Sequence, residues 1–466
     1  MSGQPLVQPM PYGPPMRYLA CVADQPGTVL FDSAASDDPR SRYSYLGIDP
    51  VAWLTTANGA AGTPLARLQS ALRAFPMARA PGLPPFQGGA AGLLGYELGS
   101  HLERLPAPAA KGPAHPDMAL GIYDVVLAFD HAAGRAWLIA SGYPETDPGA
   151  RRDRAAARLA AIRERLTPDA DTPAPVRIRQ LAWESDTPRD AYLDRVAEAI
   201  GYIRAGDIFQ VNLSREIAAP RPAGLDGLSL YAEMRARTRA PFSAYFTVSR
   251  AAAVASFSPE RFLQVDPPGR VETRPIKGTR PRGRTPEADA ALARELAESP
   301  KDRAENLMIV DLLRNDLARS CRVGSVRVPQ LCGLERFDAV HHLVSVVTGR
   351  LAPGRDAVDL LAGAFPGGSI TGAPKIRAME IIRALEQRRR GPYCGAMAWL
   401  GFDGGMDSSI LIRTMALDAA SVRFGVGGGV VADSEPAAEW AETETKAAAF
   451  LAPPADGTPG APHGGS

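Results

Sequence analysis

Short apolar runs recur through the first third of the chain. DVVLAFD and RAWLIAS carry apolar side chains at nearly every position over six or seven residues, the pattern of a strand buried on both faces. From Arg151 to Leu166 the pattern becomes Ala/Arg-rich with helical spacing, then gives way to TPDADTPAP, whose prolines suit an exposed connector. A boundary is therefore expected near Pro173 to Pro175, dividing an N-terminal region (17–172) from a larger C-terminal one (173–451) in which strands alternate with longer helices. Residues 1–16, rich in proline, and 452–466, rich in glycine and proline, read as loose tails with too little apolar content to offset ordering.

Two helices in the second region carry carboxylates in unusual places. In SPKDRAENLMIVDLLRNDLARS, Ser299 is a natural N-cap, Pro300 fits the first helical position, and Asp302 stands where a capping box wants an acid. Glu305 shares a face with Ile309 and Leu312, so its carboxylate projects from an apolar stripe. In DSEPAAEWAETETKAAAFL, Glu435, Glu439, Glu442 and Lys446 line one side of a helix. The ordinary reading of each is a first-turn acid and a solvated face. That second helix follows GVGGG, whose bare backbone N–H groups can approach an anion closely. Carboxylates from two helices beside such a run suit a hard divalent cation clamping a carboxylate substrate.

Two motifs fail on inspection. GGGVVA imitates a dinucleotide fingerprint, but the helix after it has no second strand to complete a βαβ unit. GGSITGAPK has the glycines of a phosphate loop but Ala373 and Pro374 where Lys and Ser/Thr are required, and Pro374 reads as the first residue of a helix ending at Gly391.

With 466 residues, 45% hydrophobic, the chain can bury a large core, and a net charge of +1 gives no field to hold nucleic acid or an anionic membrane. The cations of TRPIKGTRPRG, Lys277 among Arg274, Arg280 and Arg282, are thus a local feature. Four cysteines without CxxC spacing suggest neither zinc nor disulfides, and no apolar run reaches about 18 residues, so a reducing cytoplasmic setting is expected.

GDIFQVNLSR, SPERF, RPIKGTRPRG, ENLMIVDLLRND, HHLVS, FPGGSITGAPK, RGPYCGAMAWL and GVGGGVVADSEPAAEWAETETKA occur in the order seen in chorismate-utilising enzymes. The resemblance covers Ala182 to Leu451. Upstream, VLFDSAASDDPRSRYSYLGIDP and FQGGAAGLLGYELG resemble the N-terminal part of anthranilate and aminodeoxychorismate synthase large subunits. It implies a large α/β (α+β) fold of two subdomains, with antiparallel sheets packed face to face, helices outside, and the N-terminal part sharing the core.

The resemblance also divides reactions within the family. Isochorismate and salicylate synthases carry a water-activating lysine where this chain has Gln210, and an amide is no general base. Anthranilate synthases have PIAGT where this chain has PIKGT. The lysine, with GGSITGAPK and RAPFSAY, is similar to the pattern of aminodeoxychorismate synthase large subunits of para-aminobenzoate synthesis. Lys277 is then expected to attack carbon 2 of chorismate, its pKa lowered by neighbouring guanidiniums and partial burial. Glu260 matches the general acid, and His342 a histidine near the reacting ring, with His341 turned to the opposite face. Glu305 and Glu442 map onto magnesium ligands, with Glu439 assisting. Tyr393, Arg413, Lys446, Gly427 and Gly428 map onto groups holding substrate carboxylates, and Thr279 onto a ring contact.

Glutaminase chemistry needs a thiol on a Gly-x-Cys-x-Gly turn, which ACVA, SCRV, LCGL and YCGA lack. Ammonia is therefore expected free or from a separate glutamine amidotransferase subunit. With no lyase domain expected after Leu451, the product should stay at aminodeoxychorismate. LFDS stands where anthranilate synthases have the tryptophan-binding LLES, and Asp32, one methylene short, argues against regulation by tryptophan. The alternatives are an anthranilate synthase large subunit and a noncatalytic scaffold or allosteric partner.

Overall fold

The computed structural model describes residues 4–35, 38, 40–56, 63–166, 178–337 and 340–451. Apolar runs without polar alternation must be covered on both sides, and the chain meets this with two antiparallel sheets stacked face to face. In Val125–Asp130, Val125, Leu127 and Phe129 point to a helix-covered outer core, while Val126 and Ala128 point to the layer between the sheets.

The 12-stranded sheet runs Leu6–Met10, Arg135–Ala140, Val125–Asp130, Tyr43–Gly47, Val29–Asp32, Phe242–Ser249, Ala252–Ser258, Thr414–Leu417, Ser421–Val430, Gln210–Pro220 and Gly372–Ala373, with Glu184–Ser185 beside Gln210–Pro220. The 10-stranded sheet runs Ile276–Pro281, Val340–Arg350, Arg270–Thr273, Arg261–Val265, Met406–Ile410, Ala396–Gly401, Gly89–Leu94, Met118–Tyr123 and Ala52–Thr56, with Arg327–Arg336 beside Val340–Arg350. Strands from both sides of residue 173 enter both sheets, so the N-terminal region shares one core with the rest. The boundary itself, Pro173 to Pro175, and the tail 452–466 lie outside the described residues.

Two boundaries need correction. Leu6–Met10, assigned to a loose tail, is an edge strand paired with Arg135–Ala140, and a helix at Pro15–Ala20 follows it and buries Tyr18 and Leu19. The helix expected to end at Gly391 spans Lys375–Glu386, with Pro374 as its N-cap and Gln387 in the left-handed region at φ 51°. Arg388, Arg389 and Arg390 are then drawn into the interior. No helix among the described residues is long and apolar enough to cross a membrane.

Candidate active site

Four elements converge on a cavity of about 800 Å³ between the ends of the two sheets. The Pro300–Ala318 helix starts where its sequence demands, Ser299 Oγ accepting from the Asp302 N–H at 3.3 Å. The reciprocal capping-box bond does not form, because Asp302 turns to Arg280 instead, at 3.3 Å. Across the cavity the Pro436–Leu451 helix presents Glu439, Glu442 and Lys446. The walls are the strands Ile276–Pro281 and Ser421–Val430.

Every predicted site residue lines this one cavity: Glu260, Lys277, Thr279, Glu305, His342, Tyr393, Arg413, Gly427, Gly428, Glu439, Glu442 and Lys446. The glycines lie within the Ser421–Val430 strand rather than in a loop opening the helix. Their lack of side chains has a steric reason. A Cβ on Gly428 would stand 2.9 Å from Glu439 Oε2 and 3.4 Å from Glu442 Oε1, so the two carboxylates lie against this strand. At Gly429 a Cβ would meet Gln210 Nε2 at 2.6 Å and Lys277 Nζ at 3.6 Å. Gln210 is thus buried beside Lys277, and neither end of its amide has a protein partner among the described residues.

Burial lowers the Lys277 pKa, opposed by the charges of Glu305, Glu260 and Glu442 and aided by Lys446. The neighbouring guanidiniums are not the cause. Arg274 pairs with Glu335 at 2.5 Å, Arg282 with Asp289 at 2.7 Å, and Arg280, at the cavity rim, with Glu295 at 2.7 Å and Asp302 at 3.3 Å, so each is neutralised by a carboxylate of its own. Burial pushes the Glu260 carboxyl up to about 7, against a hydrogen bond from Ser369 and the charge of Lys277. His342 is pushed down to about 4, first by burial and then by the Arg413 charge, so its ring is neutral at pH 7. Its Nδ1 lies 2.9 Å from Thr279 Oγ1. Alternation along Val340–Arg350 sends His341 the other way, to Asp289 at 2.8 Å.

The carboxylates divide by surroundings. Burial raises the pKa values of Glu305 and Glu439. Burial also works on Glu442, but Lys446, 2.6 Å from its Oε1, outweighs it and lowers the value. Lys446 Nζ also donates to Gly427 O at 2.6 Å. Among the described residues no three His, Cys, Asp or Glu side chains form a cluster able to hold a metal alone. Glu439 Oε2 is buried without a protein partner, next to Glu442 and facing Gly428. That orphaned oxygen fits a cation whose remaining ligands are waters and a substrate carboxylate.

Three lining residues escaped sequence reasoning. Among the described residues Asn212 Oδ1 is buried without a partner, Lys301 stands near all three glutamates, and Ser369 lines the cavity with Glu260. Ser369 sits in FPGGSITGAPK, a motif read against phosphate loops and as a whole for the family resemblance, and its place in the cavity with Glu260 has no local sequence signal. Asp32 lines a separate cavity of about 310 Å³ with Phe242 and Trp399. Its carboxylate is already engaged by the Tyr231 hydroxyl at 3.0 Å and by Arg235.

Residues 30–452 match the family described as chorismate binding enzyme. The chain is 42% identical to aminodeoxychorismate synthase component 1 of Salmonella typhimurium over 96% of its own length and 98% of the relative's. It is also 42% identical to anthranilate synthase component 1 of Streptomyces coelicolor, over 92% of this chain and 84% of that one. Among solved structures, anthranilate synthase component I of Streptococcus pneumoniae superposes with a TM-score of 0.74 at 31% identity, covering 88% of this chain and 92% of that one.

Proposed function

As the chain belongs to the chorismate-binding enzyme family, we propose that it aminates chorismate at carbon 4, giving 4-amino-4-deoxychorismate, with ammonia from a glutamine amidotransferase subunit. Overall identity does not separate this reaction from anthranilate synthesis, since relatives of both names are 42% identical to the chain. The observation that carries the reading is Lys277 in PIKGT, a half-buried amine whose pKa is lowered by desolvation, sharing a cavity with a carboxyl that burial pushes up to about 7.

In this reading the neutral amine of Lys277 attacks carbon 2 of chorismate. The ring double bonds shift, the carbon 4 hydroxyl departs, and Glu260 gives it the proton that makes it water. Ammonia then attacks carbon 4, the double bonds shift back, and the Lys277 amine leaves carbon 2. A carboxyl with a pKa of about 7 is protonated often enough to donate and ionised often enough to take the proton back. Arg413 makes no ion pair within the described residues and opens onto the cavity, which suits it to a substrate carboxylate. Tyr393 and the Gly427–Gly428 backbone flank that position, and neutral His342, held by Thr279, faces the ring. Glu305 and Glu442, with Glu439 beside them, are the residues to hold magnesium. When bound, the ion clamps a substrate carboxylate and cancels negative charge that otherwise keeps Lys277 protonated.

The test is purified protein with chorismate, magnesium and ammonium, the product identified by mass. Aminodeoxychorismate is expected, anthranilate would select the neighbouring reaction, and no turnover by a folded chain would select a noncatalytic role.

A further inference from the structure

The Ser421–Val430 strand passes into the Pro436–Leu451 helix through a tight turn, and Ser434 closes it. Its N–H donates to Val431 O at 3.0 Å, and its Oγ accepts from the Val431 N–H, also at 3.0 Å. A serine hydroxyl that accepts one hydrogen bond still has its own proton to give. The oxygen in reach of that proton is Glu439 Oε1, at 2.7 Å, five residues on and inside the helix. Both residues are buried, Glu439 to 4% exposure, so the bond is shielded from water. With Oε1 engaged, Oε2 is the oxygen left over. It has no protein partner among the described residues, and it faces Gly428. Glu442 Oε1 faces the same bare Cα: a Cβ there would stand 2.9 Å from the Glu439 oxygen and 3.4 Å from that of Glu442. One hydroxyl therefore ties the end of the strand to the carboxylate that lies against it.

We propose that Ser434 is a positioning residue for the metal site: its hydroxyl fixes Glu439 through Oε1 and so aims Oε2, beside Glu442, at the cation. The inference rests on these glutamates being the ones that hold magnesium. A glutamate side chain has three torsions to lose on ordering, and burial alone does not choose among its rotamers. A charge-assisted bond from a hydroxyl that is itself locked to Val431 does choose, before any ion arrives. Magnesium accepts little departure from its preferred arrangement of oxygens, so it gains from a ligand already in place. Without the hydroxyl, Oε1 loses its donor, and the cost of ordering the carboxylate falls on metal binding.

The experiment titrates the purified chain with manganese(II), which takes the same carboxylate and water oxygens as magnesium, and reads the free ion by electron paramagnetic resonance without chorismate. Ser434→Ala is expected to raise the dissociation constant about tenfold, the usual share of a residue that orients a metal ligand, with circular dichroism unchanged. Glu439→Gln should raise it at least as much, and Ser434→Ala added to Glu439→Gln should raise it no further. A merely structural role would weaken both backgrounds alike, so equal losses with and without the Glu439 carboxylate overturn the proposal, as does an unchanged constant in Ser434→Ala. Should Ser434→Ala not fold, Ser434→Cys nearly keeps the size of the side chain with a far weaker donor and must raise the constant in the same way. If the wild type binds no manganese, or if Glu439→Gln binds it as tightly, the placement of the ion fails and the proposal with it. Because the titration needs no turnover, a chain that binds as expected but does not aminate chorismate would overturn the functional reading and leave the role of Ser434 standing.

Discussion

Replacing Glu260 by Gln should make the chain more stable at alkaline pH while disabling it. Burial raises the carboxyl from 4.5 to about 7 in the folded chain. At about 1.4 kcal/mol per pH unit, ionising it inside the fold costs about 3 kcal/mol more than ionising it in the unfolded chain. The sign follows from which state holds the proton. Below pH 4.5 both states are protonated and the fold has its full stability; as pH rises, the unfolded chain ionises first, and the contribution is lost once pH passes about 7. The amide introduced by Glu260→Gln has nothing to ionise and matches the protonated acid in shape. The stability difference between variant and wild type should therefore be small near pH 4.5 and grow to about 3 kcal/mol in favour of the variant well above pH 7. Urea unfolding of both proteins across that range, without magnesium or chorismate, measures it directly. The variant should also lose turnover by about 100-fold or more, the usual share of a general acid. Stability curves that run parallel across the range would refute the assignment of a buried, protonated Glu260.

Lys277→Ala should abolish the covalent adduct in rapid-quench mass spectrometry and the formation of aminodeoxychorismate, leaving any residual product as anthranilate from direct attack of ammonia at carbon 2. Glu442→Gln removes one full charge at constant volume, so circular dichroism should be unchanged while magnesium-dependent turnover falls by about 100-fold. Arg413→Met should weaken chorismate binding by 2 kcal/mol or so, read as roughly a 30-fold rise in its dissociation constant by calorimetry. Glutamine alone should give no turnover, ammonium at alkaline pH should support it, and an added amidotransferase subunit should restore the use of glutamine; release of glutamate by the single chain would contradict this.

Local chemistry was the legible part. Pro300 after Ser299 marks a helix start whatever the tertiary context, and strand alternation alone separates His341 from His342. The motifs carrying the family resemblance pointed to residues as far apart as Glu260 and Lys446, and all of those line the one cavity. The errors arise where a side chain's fate depends on a partner distant in sequence. Arg274 and Arg280 are claimed by Glu335 and Glu295, which no spacing rule connects to them, so their influence on Lys277 was misjudged. The stop at Gln387 reflects Asp186 drawing Arg388 inward, Glu97 and Asp117 drawing Arg389, and Glu386 drawing Arg390. Leu6–Met10 is a five-residue run set among prolines, and it gains its order from its ladder with Arg135–Ala140. Ser369 enters the site only because the turn between Ala252–Ser258 and Arg261–Val265, more than a hundred residues earlier, brings Glu260 to the same cavity.

The interleaving of strands also governs how the chain is born. Val29–Asp32 lies between Tyr43–Gly47 and Phe242–Ser249, so during synthesis its second edge stays bare until some two hundred further residues have emerged. Gln210–Pro220 waits equally long for Ser421–Val430. At about 5–20 residues per second these edges stand open for ten seconds or more, exposed to any other strand they meet. The cavity, whose lining includes Ser421–Val430 and the Pro436–Leu451 helix, cannot exist before those elements have emerged. Nascent chains of this protein should therefore depend on holding chaperones, and crowded overexpression at high temperature should lose material to aggregation before the site has formed.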